Sequence, residues 1–208
     1  MFDPVSTIIG IAAPLNIANV DTDVIIRIER LTIGDPREIG RYAFEALRYL
    51  ADGQEDPHFI LNRPAYRGAS ILLAGPNFGC GSSREPAVTA LMAMGLRVIV
   101  AQSFGDIFYA NCFQNGLLPI RLDEAAVQAL MESAGANPRP FTVDLNEKSI
   151  AAPDGRVFDF TIDAQRREAL LAGVDDIGLT LRDTAAIHAW QAADRTERVW
   201  IWQTGDAA

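Results

Sequence analysis

Three short and continuously apolar runs in the middle of the chain constrain its fold more than any other feature. They lie at residues 71–73, 98–101 and 117–120, and segments of helical periodicity at 85–94 and 106–113 separate them. A strand without polar alternation is buried on both faces, which is typical of parallel sheets covered by helices. The pattern therefore predicts an α/β fold built from βαβ units.

The region before this core predicts a mixture of turn, strand and helix. A polar turn at 19–23 runs into a short strand at 24–26. Asp35 matches a helix N-cap, and Pro36 matches the first helical position. Glu38 matches the capping-box residue whose side chain bonds back to the N-cap amide. They predict a helix that continues to about Leu50, followed by a loop.

The region after the core has a different character. Alternating residues predict strands at 141–145, 149–151 and 157–162, which form an antiparallel meander beside the parallel core. Two helices follow, at about 164–172 and 184–192. We expect a single domain over residues 1–208, with a C-terminal helical extension over about 164–208.

Composition narrows the possible partners. The 208 residues include 27 acidic and 18 basic side chains, so the net charge of −9 argues against a nucleic-acid footprint or an anionic membrane surface. No apolar run approaches the ~18–20 residues of a membrane span, and the N-terminus does not resemble a signal peptide. The two cysteines, Cys80 and Cys112, form no disulfide framework. A cytoplasmic protein is the simplest interpretation.

A glycine-rich turn after the first apolar run is the principal candidate site. Its sequence is Gly79-Cys80-Gly81-Ser82-Ser83-Arg84-Glu85. Ser82 and Glu85 match a capping box, so the turn is explained equally well as a helix start. Two hydroxyls exceed what one cap requires, and a cation in the first turn opposes the helix dipole. These features favour a site for an organic anion at a helix N-terminus.

Other polar residues are weaker candidates. Arg27, Arg30 and Arg37 lie in or beside a loop at 27–38, where they either hold a substrate carboxylate or form solvated surface. Asp21 and Asp23 either face an arginine or belong to an ordinary turn. No group of histidines, cysteines or carboxylates has the spacing of metal ligands, so we expect no metal site in this chain. Two cysteines are also too few for a four-cysteine iron–sulfur cluster.

The combined motifs resemble one family. Asp21-Thr22-Asp23 and the glycine–serine–arginine turn are the specific elements, and further matching segments follow in order along nearly the whole chain. Those segments are residues 20–26, 68–74, 77–85, 103–113, 115–120, 152–155 and 173–181. The sequence resembles the small subunits of 3-isopropylmalate dehydratase, in the aconitase superfamily.

This resemblance implies a swivelling β/β/α domain, similar to the mobile fourth domain of aconitase. It implies a hydro-lyase of leucine biosynthesis that interconverts 2-isopropylmalate and 3-isopropylmalate through isopropylmaleate. It also implies a hetero-oligomer, because a large subunit carries the 4Fe–4S cluster that acts as Lewis acid. The substrate is a hydroxy-dicarboxylate, and this chain alone binds no cluster.

The resemblance also implies roles for individual residues. Ser82 is the base that removes the proton next to a carboxylate, and Arg84 binds substrate carboxylate and favours the Ser82 alkoxide. Ser83 adds a hydrogen bond. Asp23 orients the residues of the site without contacting the substrate itself. The loop with Arg30 and Arg37 is where the family selects the substrate's side group.

One residue of the turn departs from the family pattern, in which histidine follows the Arg-Glu pair. This chain has Pro86 there, which a first helical turn tolerates. Two alternatives remain open on the sequence. The chain is the small subunit of a related dehydratase of the homoaconitase, citramalate or dimethylmalate type, or it is a non-catalytic module that binds an organic anion.

Overall fold

A seven-stranded mixed sheet forms the centre of the computed structural model, which describes residues 2–31, 36–81, 84–136 and 138–202. The side chains at positions 36, 37 and 136 lie outside that description. The strands are β1 Thr7–Leu15, β2 Ile71–Ala74, β3 Val98–Ala101, β4 Leu118–Arg121, β5 Pro140–Asp144, β6 Ser149–Ala151 and β7 Val157–Asp159. Their order in the sheet is β4-β3-β2-β1-β5-β6-β7.

The sheet has a parallel half and an antiparallel half. Strands β1 to β4 pair in parallel, and β5, β6 and β7 form an antiparallel meander. The predicted βαβ core and the meander are therefore both confirmed. The meander is continuous with the core, because β1 pairs in parallel with β2 on one side and antiparallel with β5 on the other.

The pivotal strand β1 has no counterpart among the predicted elements. Its sequence contains Gly10 and Pro14, which both weaken a strand pattern. A Cβ at Gly10 would lie 1.9 Å from Ser70 Oγ, so any larger residue would require the Ser70 side chain to rotate away. Sheet pairing on both edges overrides the weak local propensity.

Helices cover the two faces of the sheet. The helices of the described residues are α1 Thr22–Ile25, α2 Glu45–Arg48, α3 Glu85–Ala93, α4 Asp106–Asn115, α5 Glu124–Ala136, α6 Ala164–Ala172, α7 Asp176–Thr180, α8 Thr184–Glu197 and α9 Val199–Trp202. Of these, α3 to α6 contribute buried side chains to the cores on the sheet, whereas α8 and α9 are mostly exposed. Short 3₁₀ helices occupy Ile28–Arg30, Pro36–Tyr42, Ile60–Asn62 and Leu181–Asp183. No helix in these described stretches is long and apolar enough to cross a membrane.

Two separate apolar cores lie on opposite sides of the sheet. On one side Leu72 of β2 packs with Leu91 of α3, and both are fully buried. On the other side Leu73 of β2 packs with Leu130 of α5 and Leu170 of α6. Successive residues of the same strand thus enter different cores, which confirms the prediction of a sheet covered on both faces.

The predicted strand at 24–26 is wrong. Val24 and Ile25 end the single turn of helix α1, and Ile26 is its C-cap. Asp21 caps the start of the helix, because its Oδ1 accepts a hydrogen bond from the Val24 amide at 2.7 Å. The β-branched side chains Val24, Ile25 and Ile26 suggested a strand, but the cap and the apolar core decide the local conformation.

The predicted continuous helix from Asp35 to Leu50 is also wrong. The chain forms the 3₁₀ helix Pro36–Tyr42 and then the short helix α2. Phe44, which is fully buried, separates them with a left-handed φ of +56°. Its amide donates to the Ile25 carbonyl at 2.8 Å, which binds this break to α1. Asp35 lies outside the described residues.

The C-terminal predictions hold in outline. Helix α6 has the predicted bounds, and α8 is longer than predicted. Strand β7 covers only the first three residues of the predicted strand at 157–162. Helix α7 and the short helix α9 have no counterpart among the predictions. The single domain with an extension over 164–208 stays a prediction.

Candidate active site

The glycine-rich turn leaves the carboxyl end of β2 and is held against the segment that precedes α1. Gly79 and Gly81 have φ values of +69° and +87°, which glycine adopts without strain. Cys80 pairs with Asp21 in an isolated parallel bridge, and the Thr22 amide donates to the Cys80 carbonyl at 3.0 Å. The Asp-Thr-Asp motif and the turn are therefore adjacent in space.

Close packing behind the turn gives a second reason for its glycines. A Cβ at Gly79 would lie 2.2 Å from the ring of Phe108 in α4. A Cβ at Gly105, just before α4, would lie 2.4 Å from the Gly79 carbonyl oxygen. The turn thus rests on the start of α4, and both glycines permit that approach.

Helix α3 begins later than the capping box predicts. Its N-cap is Arg84, with an extended φ of −133° and no side-chain capping bond, and Glu85 is the first helical residue. The assignment of Ser82 to the N-cap is therefore wrong. Ser82 and Ser83 themselves lie outside the described residues. Pro86 lies in the first turn, where its missing N–H costs no helical hydrogen bond, as expected.

Arg84 and Asp23 are brought together as an ion pair. Arg84 Nη1 lies 2.9 Å from Asp23 Oδ1, and Nη2 lies 3.5 Å from Oδ2. The arginine side chain is 20% exposed, whereas the aspartate side chain in α1 is 54% exposed. The pair spans the turn and the Asp-Thr-Asp segment, so it fixes the direction of the guanidinium beside the turn.

Arg30 is held by a different set of contacts. Its Nε donates to Glu45 Oε2 at 2.9 Å, and its Nη2 donates to Glu45 Oε1. The guanidinium carbon lies 4.6 Å from the centre of the Tyr42 ring. The Arg30 hydrogen bond is the main cause that lowers the pKa of the Glu45 carboxyl. Glu45 is not among the predicted site residues, and no motif marks it.

Arg37 cannot be placed in the site. Its backbone belongs to the 3₁₀ helix Pro36–Tyr42, but its side chain lies outside the described residues. Its predicted role, like that of Arg30, stays a prediction.

Two adjoining cavities share Arg27 in their walls, and the smaller one also borders Asp23 of the ion pair. The smaller, of about 340 Å³, is lined by Asp21, Asp23 and Arg27. The larger, of about 480 Å³, is lined by Arg27 again together with Arg41 and residues of α2. Arg27 pairs with Glu29 at 3.6 Å in an exposed contact. The walls carry both signs of charge: Glu29 joins the two aspartates alongside Arg27 in the smaller cavity, and Glu45 lies with the two arginines in the larger one.

An iron–sulfur cluster does not fit the residues of this chain. Cys112 is fully buried in α4, and this burial raises the pKa of its thiol, which disfavours a ligating thiolate. Cys80 is half-buried in the turn. Within the described ranges no group of three or more histidine, cysteine or acidic side chains is placed to hold a metal ion.

The class of this domain is indicated by its mixed sheet, by the glycine turn at the end of a parallel strand, and by the protein families that its sequence matches. The sequence matches the family described as the aconitase C-terminal domain over residues 3–125, a range that includes the turn, Asp23 and Arg84. Residues 128–164, which contain the meander, match a second family, LeuD_N. The chain is therefore a domain of the aconitase C-terminal class.

Relatives of nearly the same length identify the family more closely. Two are named 3-isopropylmalate dehydratase small subunit. The protein of Rhodopseudomonas palustris strain BisA53 is 50% identical over 95% of this chain and 99% of its own. That of Rhodospirillum centenum is 52% identical over 92% and 95%. The chain belongs to the 3-isopropylmalate dehydratase small-subunit family.

A solved structure agrees with this assignment. The crystal structure of 3-isopropylmalate dehydratase from Methanocaldococcus jannaschii superposes with a TM-score of 0.66 at 28% identity. The match covers 88% of this chain and 99% of the archaeal one. The predicted fold class is therefore confirmed.

Proposed function

We propose that this chain is the small subunit of an enzyme that interconverts 2-isopropylmalate and 3-isopropylmalate by dehydration and rehydration. The relatives that carry this name match the chain from end to end. The observation that carries the proposal is the Arg84–Asp23 pair, which places an oriented guanidinium beside the glycine turn. This role places the chain in leucine biosynthesis.

Arg84 binds one carboxylate of the substrate. A guanidinium presents five N–H donors in a planar fork. Arg84 Nη2 donates to Asp23 at 3.5 Å, whereas the buried Nη1 has no hydrogen-bond partner among the described residues. Ser83, the preceding residue, adds a hydroxyl hydrogen bond to the same carboxylate. The substrate is therefore a hydroxy-dicarboxylate whose acidic end lies against the turn.

Ser82 removes the proton from the carbon next to that carboxylate. The C–H bond breaks, its electron pair forms the double bond of isopropylmaleate, and the proton is taken up by the Ser82 oxygen. The C–O bond of the neighbouring hydroxyl breaks in the same dehydration, and hydroxide leaves with the electron pair of that bond. A serine alkoxide is costly in water, so it requires nearby positive charge and backbone N–H groups. Arg84 supplies the charge, and Asp23 keeps the guanidinium oriented.

The segment with Arg30 and Arg37 borders the variable side group of the substrate. Arg30 ends the 3₁₀ helix Ile28–Arg30, and Arg37 belongs to the 3₁₀ helix Pro36–Tyr42, which precedes α2. We propose that these residues shape the pocket that distinguishes an isopropyl group from other substituents.

A large subunit completes the active site and carries the 4Fe–4S cluster. The buried Cys112 and the lone half-buried Cys80 support this proposal, because they leave this chain without a ligand set. The two free cysteines also suit the reducing cytoplasm, where we place the complex.

The test uses the complex reconstituted with a cluster-loaded large subunit. We expect Ser82→Ala to lower kcat for isopropylmalate by about a hundredfold to ten-thousandfold, the range for loss of an acid–base group. Ser6→Ala is the matched control, because Ser6 is an exposed serine before β1. Both variants should melt at the wild-type temperature.

Two results would contradict the proposal. Near-wild-type turnover by Ser82→Ala would leave the turn without a base. Turnover of isopropylmalate by the isolated chain would remove the need for a partner.

A further inference from the structure

Helix α1, which carries Asp23, is too short to hold its own conformation. It has four residues, and a single helical turn is unstable without tertiary contacts. On the side of the turn it is held by the bonds between Thr22 and Cys80 and between Asp23 and Arg84. The position of Asp23 therefore depends on what holds the chain that follows α1.

Besides the burial of Ile25 and Ile26 in the apolar core, two hydrogen-bonded contacts hold that following segment, and both lead to the start of α2. The Phe44 amide donates to the Ile25 carbonyl at 2.8 Å. Arg30, at the end of the 3₁₀ helix Ile28–Arg30, makes the two hydrogen bonds to Glu45. Adjacent residues of one segment, Phe44 and Glu45, thus fix both ends of the chain between α1 and Arg30.

The Arg30–Glu45 pair has the geometry of a structural contact. It is two-pronged, which gives more directional restraint than a single ion contact. The side chains are only 31% and 21% exposed, so solvent screens the pair less than a surface pair. Tyr42 covers one face of the guanidinium at 4.6 Å.

The same geometry opposes a direct role of Arg30 in substrate binding. A substrate carboxylate that bound the Arg30 guanidinium would have to displace Glu45. The half-buried Glu45 carboxylate would then lose its two hydrogen-bond donors and remain charged, which is unfavourable. Arg27, in contrast, faces both cavities and has an exposed partner.

We propose that Glu45 is a positioning residue that acts through Arg30: the pair anchors residues 27–31 to α2 and thereby holds Asp23 and Arg84 in their working orientation. This inference rests on the proposed function and refines it, because Arg30 then borders the substrate pocket as part of its frame. Glu45 is a new functional residue of the site.

The experiment compares Glu45→Gln, Arg30→Gln, their double variant and the exchanged pair Arg30→Glu with Glu45→Arg. Glu38→Gln is the matched control, since Glu38 forms an exposed pair with Arg41 in the same region. Amide hydrogen exchange of the isolated chain measures the anchoring. Steady-state kinetics of the reconstituted complex measure KM and kcat for isopropylmalate.

We expect the two single variants to behave alike. Each should speed amide exchange across residues 26–31 and raise KM about fivefold, the effect of losing a partly exposed ion pair. The double variant should be no worse than either single variant, because both remove the same interaction. The exchanged pair should restore slow exchange and recover most of the KM.

Two outcomes would overturn the inference. If Arg30→Gln raises KM while Glu45→Gln changes neither KM nor exchange, Arg30 contacts the substrate directly. If neither variant alters exchange at 26–31, the pair does not anchor the segment. Because exchange needs no substrate, it decides the anchoring even if the wild-type complex fails to convert isopropylmalate, a failure that would count against the proposed function alone.

Discussion

Arg84 and Asp23 differ in exposure in a way that suits reversible substrate binding. The arginine is mostly shielded, at 20% exposed, while the aspartate remains 54% exposed. When a substrate carboxylate binds to the Arg84 guanidinium, the Asp23 carboxylate loses part of its contact with Arg84, and water can solvate it. The pair therefore orients Arg84 without the large desolvation cost that would follow the opening of a buried ion pair.

Gly105 is a residue whose importance for the site comes from packing. It contacts the backbone of the turn, since a Cβ there would lie 2.4 Å from the Gly79 carbonyl oxygen and 3.0 Å from the Cys80 Cα. We predict that Gly105→Ala displaces the turn, lowers the free energy of unfolding by about 1–3 kcal/mol and reduces kcat. Chemical denaturation and kinetics of the reconstituted complex measure the two effects.

Gly135→Ala is the control for this substitution. Gly135 lies in α5, its Cβ would meet nothing within 4 Å, and alanine favours the helix. The control should keep or slightly raise stability with normal turnover. Wild-type stability and turnover in Gly105→Ala would show that the turn is free to move away from α4.

At the scale of elements, helices α8 and α9 form an arm with its own polar centre. Asp194 in α8 is buried, with only 6% of its surface exposed. Its carboxylate accepts hydrogen bonds from Trp202 Nε1, at 2.8 Å, and from Arg198. Most other residues of α8 are exposed. The arm is thus held together mainly by one buried carboxylate.

The charge of Asp194 makes this arm sensitive to acid. Burial acts to raise the pKa of its carboxyl, but the hydrogen bonds from Trp202 and Arg198 outweigh that effect, so the pKa is lowered. A lowered pKa stabilises the folded arm above the unfolded value of about 3.9 and loses that effect as the pH falls through the folded value. We predict that the arm opens below about pH 3.9.

Tryptophan fluorescence measures this transition, because all three tryptophans, at 190, 200 and 202, belong to the arm. Asp194→Asn should give the acid-form spectrum at pH 7 and lose the transition. Asp183→Asn is the control, since Asp183 caps α8 without a side-chain hydrogen bond. An unchanged spectrum in Asp194→Asn would show that the arm does not depend on this carboxylate.

The elements that the sequence predicts well are those that local pattern and tertiary packing favour together. Strands β2 and β3 are continuously apolar, β4 is apolar up to its last residue, Arg121, and all three lie within one residue of the predicted runs. The sequence pattern does not predict strand β1, because the strand is stabilised by pairing on both of its edges. Its Gly10 lies close to Ser70, a residue distant in the sequence. Helix α1 looked like a strand, since its conformation depends on the Asp21 cap and the core.

The site shows the same division. Arg84 and Asp23 are 61 residues apart, yet both stand in recognisable motifs, so the sequence singled out both. The pairing of Arg30 with Glu45 has no such signal. It depends on the break at Phe44, whose left-handed backbone no local pattern predicts.

At the scale of the whole molecule, the proposed function divides the catalytic machinery between two chains. The described residues supply an oriented cation and a glycine turn on the parallel half of the sheet, but no ligand set for a metal. A dehydration also requires a group that accepts the leaving hydroxyl. The division predicts that iron and hydroxyl chemistry reside entirely on the partner.

Iron analysis tests this division directly. We predict that the isolated chain elutes from gel filtration without stoichiometric iron, and that iron in the complex follows the large subunit. Cys80→Ala and Cys112→Ala should leave the iron content of the complex unchanged, because one thiol stands alone in the turn and the other is sealed in the core with a raised pKa. The two variants also control for each other, since only Cys80 is near the site. A loss of iron in Cys80→Ala alone would place a cluster ligand on this chain and make the glycine turn part of the metal centre.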